Sequence, residues 1–206
     1  MIRKKSHKTR TFVNAGCGSS SDQSRLPPLF RRWKQIRVDV DPDAKPDIVA
    51  NIVDLSAIPD GSADAIWCAH CVEHLYAHQV PQALAEFRRV LSPGGFACIV
   101  VPDLQTIAHW IATDRLSETI YESPSGPVTS HDMVWGFGAA IAGGKTAMAH
   151  HCGFTPSFFV EYLRGAGFAE IVLRRRVNTI ELAALALKMP SASPERREAL
   201  MTDLAL

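Results

Sequence analysis

Two short apolar runs, ADAIWCA at residues 63–69 and GFACIVV at 95–101, bracket the segment QALAEFRRVL. Near-continuous apolar strands of this length belong in a sheet covered on both faces. Between them Leu84, Phe87 and Leu91 recur at helical spacing with Val90 beside them, which predicts a helix. Strand, helix and strand in that order imply a parallel sheet with helices packed on it. The helix is expected to stop at Ser92-Pro93-Gly94-Gly95, because Pro cannot continue it and Gly supplies a positive φ.

The same grammar extends in both directions. TFVNA (11–15), QIRVDV (35–40) and DIVA (47–50) read as three earlier strands. Residues 156–165 read as a helix closed by Gly165-Ala166-Gly167, followed by a strand, FAEIVLRRRV, at 168–177. ELAALALKM, 181–189, is helical by its Ala and Leu content but a strand by its position. The segment 191–206 opens with Ser193, Pro194 and Glu195, the signature of a helix start. The fold class is α/β: a Rossmann-like three-layer sandwich on a mostly parallel sheet. With 206 residues, 47% of them hydrophobic, one domain with a substantial core is expected over 11–190.

Charge narrows the function. Lys plus Arg is 22 against 21 Asp plus Glu, so nothing in the balance argues for nucleic acid or an anionic membrane. The basic residues 1–10, MIRKKSHKTR, read as a flexible, solvated terminus rather than a nucleic-acid arm. No run approaches the roughly 20 apolar residues of a membrane span, and no signal peptide is evident. A cytoplasmic setting with five reduced cysteines is expected. Cys68-Ala69-His70-Cys71, with Cys152 and its preceding histidines, resembles part of a zinc site. Cys68 lies in an apolar strand, however, so packing is the favoured reading and no metal is expected.

In open α/β sheets, ligands bind beyond the C-terminal ends of the strands. The loop Gly16-Cys17-Gly18 falls there, after the first strand. Bare backbone followed by a helix N-terminus suits an anion, a phosphate or a carboxylate. The third glycine of a dinucleotide fingerprint is missing, since Ser19-Ser20-Ser21 follows. Asp41 ends the second strand, where an acid can take two ribose hydroxyls. Asp54-Leu55 follows the third, where a carboxylate could meet an adenine amino group. Each of these acids could equally be a plain surface turn.

The ordered set NAGCGS, RVDVDP, IVDL, IPDGSADAIWCAHCVEHL, FRRVLSPGGFACIVVPDL and HHCGFTPSFF…LRGAGF is similar to class I S-adenosylmethionine-dependent methyltransferases. More narrowly, it resembles a bacterial group of small predicted methyltransferases with no assigned acceptor. The resemblance spans about residues 11–189. It implies a seven-stranded sheet whose last strand is antiparallel and inserted beside the sixth, which favours a strand at 181–189. It implies S-adenosyl-L-methionine as cofactor, with Asn14, Gly16, Cys17 and Gly18 at the methionine end. Asp41 would then bind the ribose, Asp54 and Leu55 would face the adenine, and Ala69 and His70 would flank the methyl group. Two residues depart from the family pattern. Asn14 stands where an acid is usual, and Ser19 stands where the family has a further glycine.

A sulfonium methyl is already activated, so alignment and exclusion of water are the protein's main tasks. A base is needed only for a hydroxyl or protonated amine. His70 is the first candidate for that catalytic role, with His74, His150 and His151 behind it. Residues 103–155 are too long for a plain connection and are expected to form an acceptor-side insertion or lid, with Gly136, Gly138, Gly143 and Gly144 as its flexible points. Its aromatic residues read equally as an acceptor pocket or as a satellite core. The expected partner is a small-molecule or glycan-type acceptor, with neither nucleic acid nor membrane. The alternatives are a non-catalytic binding protein on the same fold and a nicotinamide-dependent oxidoreductase.

Overall fold

A computed structural model describes residues 9–19 and 26–206. Most of the basic N-terminal stretch, and the helix start expected after Ser19, lie outside the described residues. The chain forms β1 (Thr11–Ala15), β2 (Lys34–Asp39), β3 (Ile48–Val49), β4 (Ala63–Ala69), α1 (Val80–Val90) and β5 (Leu91–Pro102). There follow α2 (Leu104–Ala112), β6 (Thr119–Ser123), β7 (Gly126–Thr129), α3 (Ser130–Trp135) and α4 (Gly138–Ala142). The chain then closes with α5 (Pro156–Gly165), β8 (Glu170–Arg176), β9 (Glu181–Leu187) and α6 (Pro194–Asp203).

Seven strands form one sheet in the order β3-β2-β1-β4-β5-β9-β8. β1 to β5 run parallel, and β9 pairs antiparallel with both β5 and β8. Alternation of side chains builds a core on each face. Val13, Ile66, Ile99 and Ala184 point to the face covered by α1 and α5, where Leu84, Phe87, Phe159 and Leu163 meet them. Phe12, Trp67, Cys98 and Leu185 point to the other face, covered by Phe30 and by Met201 and Leu204 at the C-terminal helix. All seven residues of β9 are buried. Its neighbours on both edges bind every step from Glu181 to Leu187. That pairing overrides the helix preference of its Ala and Leu.

The Ser92–Gly95 segment differs from expectation. It is a bulged stretch within β5, where the strand advances from Leu91 to Phe96 while β4 advances only from Ala63 to Ala65. Neither Gly94 nor Gly95 has a positive φ. Gly95 is needed for close approach, because an added Cβ would lie 3.0 Å from the Asp64 carbonyl oxygen.

Residues 103–155 fold into α2, the β6–β7 hairpin, α3 and α4. Ile107, Val128, Met133 and Ile180 make a third core, with Trp110, Tyr121 and Phe137 packed against it. Those three aromatic residues therefore fill a satellite core, whereas Trp135 stays about half exposed. Gly136 is fixed by packing: its φ is 96°, and an added Cβ would lie 2.0 Å from the Met148 carbonyl oxygen. Among the described residues, no helix is long and apolar enough to cross a membrane.

Candidate cofactor and acceptor site

The sheet reverses direction of growth between β1 and β4, and the loops after these two strands meet there. Gly16 has φ 70° and Gly18 has φ 59°, the left-handed region that favours glycine. The amides of Gly16 and Cys17 both donate to the Val38 carbonyl, at 2.9 and 3.1 Å, which turns the chain away from β1. The two glycines answer to different neighbours. A Cβ on Gly16 would lie 2.5 Å from Cys71 Sγ, so its bareness admits the chain's own β4 loop. Among the described residues, a Cβ on Gly18 would meet nothing within 4 Å, so the cradle is open on that side. Asn14 is buried in β1, paired between Arg37 of β2 and Trp67 of β4.

Two residues absent from the sequence reading hold this loop. The Gly18 amide donates to Asp39 Oδ2 at 2.8 Å, and Asp39 Oδ1 accepts the Asp41 amide at 3.0 Å. Arg37 donates to the carbonyls of Gly18, Ala44 and Lys45. The glycine loop and the turn bearing Asp41 are thus tied from one strand end. Alternation in RVDVD marked Asp39 only as a strand residue. Asp41 accepts the Asp43 amide at 2.9 Å through Oδ1, and Lys145 of the insertion lies 3.9 Å from its Oδ2. That pair is exposed and contributes little, so it yields readily to a ligand.

The adenine-side residues divide. Asp54 is exposed, its Oδ1 accepts the Ser56 amide, and the Ser56 side chain together with that amide holds its carboxyl below the usual range. Leu55 departs from the expected placement. Its side chain is 1% exposed in the main core, and its amide is held by Glu86 Oε2 at 2.7 Å. The segment is clamped from α1, because Arg89 donates to the carbonyls of Leu55 and Ile58 while pairing with Glu86.

At the end of β4, Ala69 is half-buried and His70 adopts a left-handed φ of 51°. His70 Nε2 lies 2.7 Å from Glu181 Oε1, and its Nδ1 lies 3.4 Å from Glu73 Oε1. Burial alone would lower its pKa, but the two carboxylates push it up to about 10. Both ring nitrogens face carboxylates, which favours the protonated ring. His70 thus links the end of β4 to β9 through Glu181.

The other histidines gather beside it. Residues 72–74 form one 3-10 turn after β4, and the amides of His151 and Cys152 donate to the Glu73 carbonyl. His74 Nδ1 donates to the Ala149 carbonyl at 3.1 Å, bracing the insertion rather than a helix. His150 Nδ1 donates to the Met133 carbonyl at 3.0 Å, and burial holds this histidine below its ordinary pKa. Tyr76 and His151 stack at 4.3 Å at the surface. Glu73, Leu104, Trp135 and His150 line part of a cavity of about 220 Å³ between the sheet edge and the insertion. All five cysteines are free thiols, with Cys68 and Cys98 fully buried in the sheet.

Residues 13–99 match the family model described as a methyltransferase domain. The matched segment runs from β1 into β5. Among solved structures it is similar to the Burkholderia thailandensis 1,6-didemethyltoxoflavin-N1-methyltransferase, crystallised with 1,6-didemethyltoxoflavin and S-adenosylhomocysteine. That likeness has a TM-score of 0.55 at 16% identity, over 89% of this chain and 72% of that one. A SAM-dependent methyltransferase from Methanosarcina mazei gives a TM-score of 0.56 at 16% identity, over 89% and 94%. One from Archaeoglobus fulgidus gives 0.54 at 15%, over 87% and 86%. At these identities the likeness is one of fold. No curated protein matches the sequence.

Proposed function

We propose that the chain transfers a methyl group from S-adenosyl-L-methionine to a small-molecule or glycan-type acceptor by in-line displacement. The observation that carries this reading is the Gly18–Asp39–Asp41 latch beside open space. It sets a bare backbone and an exposed carboxylate on one strand end. The cofactor supplies a methyl group already activated on sulfur. Asn14, Gly16, Cys17 and Gly18 hold its amino-acid end, and Asp41 takes the ribose hydroxyls. Asp54 lies on the adenine side, where Leu55 contributes only backbone. Ala69 and His70 flank the methyl position. The third core fixes the insertion that walls the cavity and excludes water from the acceptor. The small cavity and the near-neutral charge favour a small acceptor over nucleic acid. Free thiols throughout support a reducing, cytoplasmic setting.

Calorimetric titration with S-adenosylhomocysteine tests the reading. Binding is expected, and Asp41→Ala is expected to weaken it about 10–100-fold, the loss of charge-assisted hydrogen bonds. Unchanged binding by that variant overturns the ribose assignment. Binding without methyl transfer to any acceptor in a broad screen points instead to a non-catalytic binding protein. Tight binding of NADH in place of S-adenosylhomocysteine points to an oxidoreductase.

A further inference from the structure

Glu73 is completely buried, and among the described residues neither of its carboxylate oxygens accepts a hydrogen bond. The nearest cationic group is His70 Nδ1, 3.4 Å from Oε1. The His70 ring faces Oε1 without a hydrogen bond, and a buried carboxylate so sparsely partnered is costly and has room for a further cationic partner. His74 and His150 stand against it. One ligand atom from each of Glu73, His74 and His150 lies within 4.8 Å of the other two. The two imidazole rings are 4.8 Å apart between centroids and inclined at 66°.

The tautomers follow from the backbone. Each Nδ1 faces a carbonyl oxygen, Ala149 for His74 and Met133 for His150. A carbonyl only accepts, so each Nδ1 carries the hydrogen and each Nε2 keeps its lone pair. Metal-bound histidines are oriented in this way, with the second nitrogen held by a backbone carbonyl. The three groups that converge are therefore all acceptors: two imidazole lone pairs and a carboxylate. They cannot satisfy one another. A single proton serves one pair of them, whereas one divalent cation serves all three.

We propose that Glu73, His74 and His150 form a binding site for a divalent transition-metal ion of the zinc type. Two imidazoles and one carboxylate suit that borderline class rather than the oxygen-seeking Mg²⁺ or Ca²⁺. Bonds of about 2.0–2.1 Å to a tetrahedral ion bring ligand atoms to about 3.4 Å from one another, so the cluster contracts when the ion enters. Two of the ligands, Glu73 and His150, also line the 220 Å³ cavity. The fourth coordination position opens toward it and takes an oxygen donor, a hydroxyl or a carboxylate of a small ligand. The ligands are not the Cys68–Cys71 pair weighed from the sequence. Cys68 is buried in β4, and Cys152 Sγ turns to the carbonyls of Val72 and Glu73.

The test uses the full chain, stripped with a chelator and titrated with Zn²⁺ against a chromophoric competitor. One tight equivalent is expected. His150→Ala, at the half-buried cavity wall, is expected to weaken it at least tenfold. His78→Ala, exposed and outside the cluster, leaves it unchanged. Co²⁺ substitution gives visible d–d absorption without a thiolate charge-transfer band. Equal affinity in wild type and His150→Ala overturns the proposal, as does equal loss in His78→Ala or a thiolate band. Glu73→Gln provides a second variant, read by whether Zn²⁺ still raises its melting temperature. It is expected not to, and a rise equal to that of wild type counts against the site. S-adenosylhomocysteine binding in the same samples keeps this outcome separate from the methyltransferase reading.

Discussion

His70 Nε2 and Glu181 Oε1 lie 2.7 Å apart although 111 residues separate them. The contact joins the loop after β4 to the first residue of β9, across β5. Thr179 donates to the second oxygen of Glu181, and Arg176 stands 3.5 Å from it. Glu181→Gln is expected to destabilise the fold by about 1–3 kcal/mol. That is below the usual cost of breaking a buried pair, because the His70 side chain is 39% exposed. Urea unfolding with an unchanged slope checks it, and a midpoint equal to wild type refutes it.

The two loop glycines should respond differently to alanine. At Gly16 a positive φ and the Cys71 contact act together, so Gly16→Ala is expected to cost about 2–4 kcal/mol. At Gly18 only the φ penalty operates, and about 1 kcal/mol is expected. Adding Cys71→Gly to Gly16→Ala should relieve the steric part, giving a double-mutant loss smaller than the sum. Equal costs at both glycines would contradict the packing assignment.

Asp39 should matter for cofactor affinity without touching cofactor. Asp39→Asn leaves the Asp41 carboxylate in place but weakens the hold on the Gly18 and Asp41 amides. S-adenosylhomocysteine affinity is expected to fall about 3–10-fold, less than for Asp41→Ala. An effect as large as that of Asp41→Ala would show direct contact instead.

The clamp on residues 54–60 predicts a pH dependence. The Arg89 hydrogen bond holds the Glu86 carboxyl below its ordinary range, aided by the Leu55 amide. The folded pKa is depressed, so the stabilisation is present above the unfolded value near 4.3 and is lost as pH falls through the folded value. Chemical denaturation at neutral pH and at about pH 3 should show Glu86→Gln losing about 1 kcal/mol less stability than wild type. Parallel losses in the two proteins would rule out this contribution.

Packing on the second sheet face centres on Phe12, stacked on Phe30 at 4.5 Å. Phe12→Ala empties a fully buried site and is expected to cost about 3–5 kcal/mol. A thermal melt is the check, and a loss under about 1 kcal/mol would show that the cluster collapses to fill the space.

The amino-acid sequence by itself determined the strands, because runs such as ADAIWCA are apolar on both faces and can lie only inside a sheet. It also marked Gly16, Gly18 and Asp41, since a bare loop and a strand-end acid are local signals. The strand at β9 was expected from its position and from the family resemblance but not from its residues, and the tertiary structure supplies the reason: pairing on two edges outweighs the helix preference of Ala and Leu. It alone set the surroundings of His70, whose two carboxylates come from the next turn and from a distant strand. It also set Leu55 in the core, reserved Gly16 for Cys71, and gathered Glu73, His74 and His150. Spacing along the chain carries the period of a strand or helix, but a residue's protonation and contacts depend on neighbours that only folding supplies.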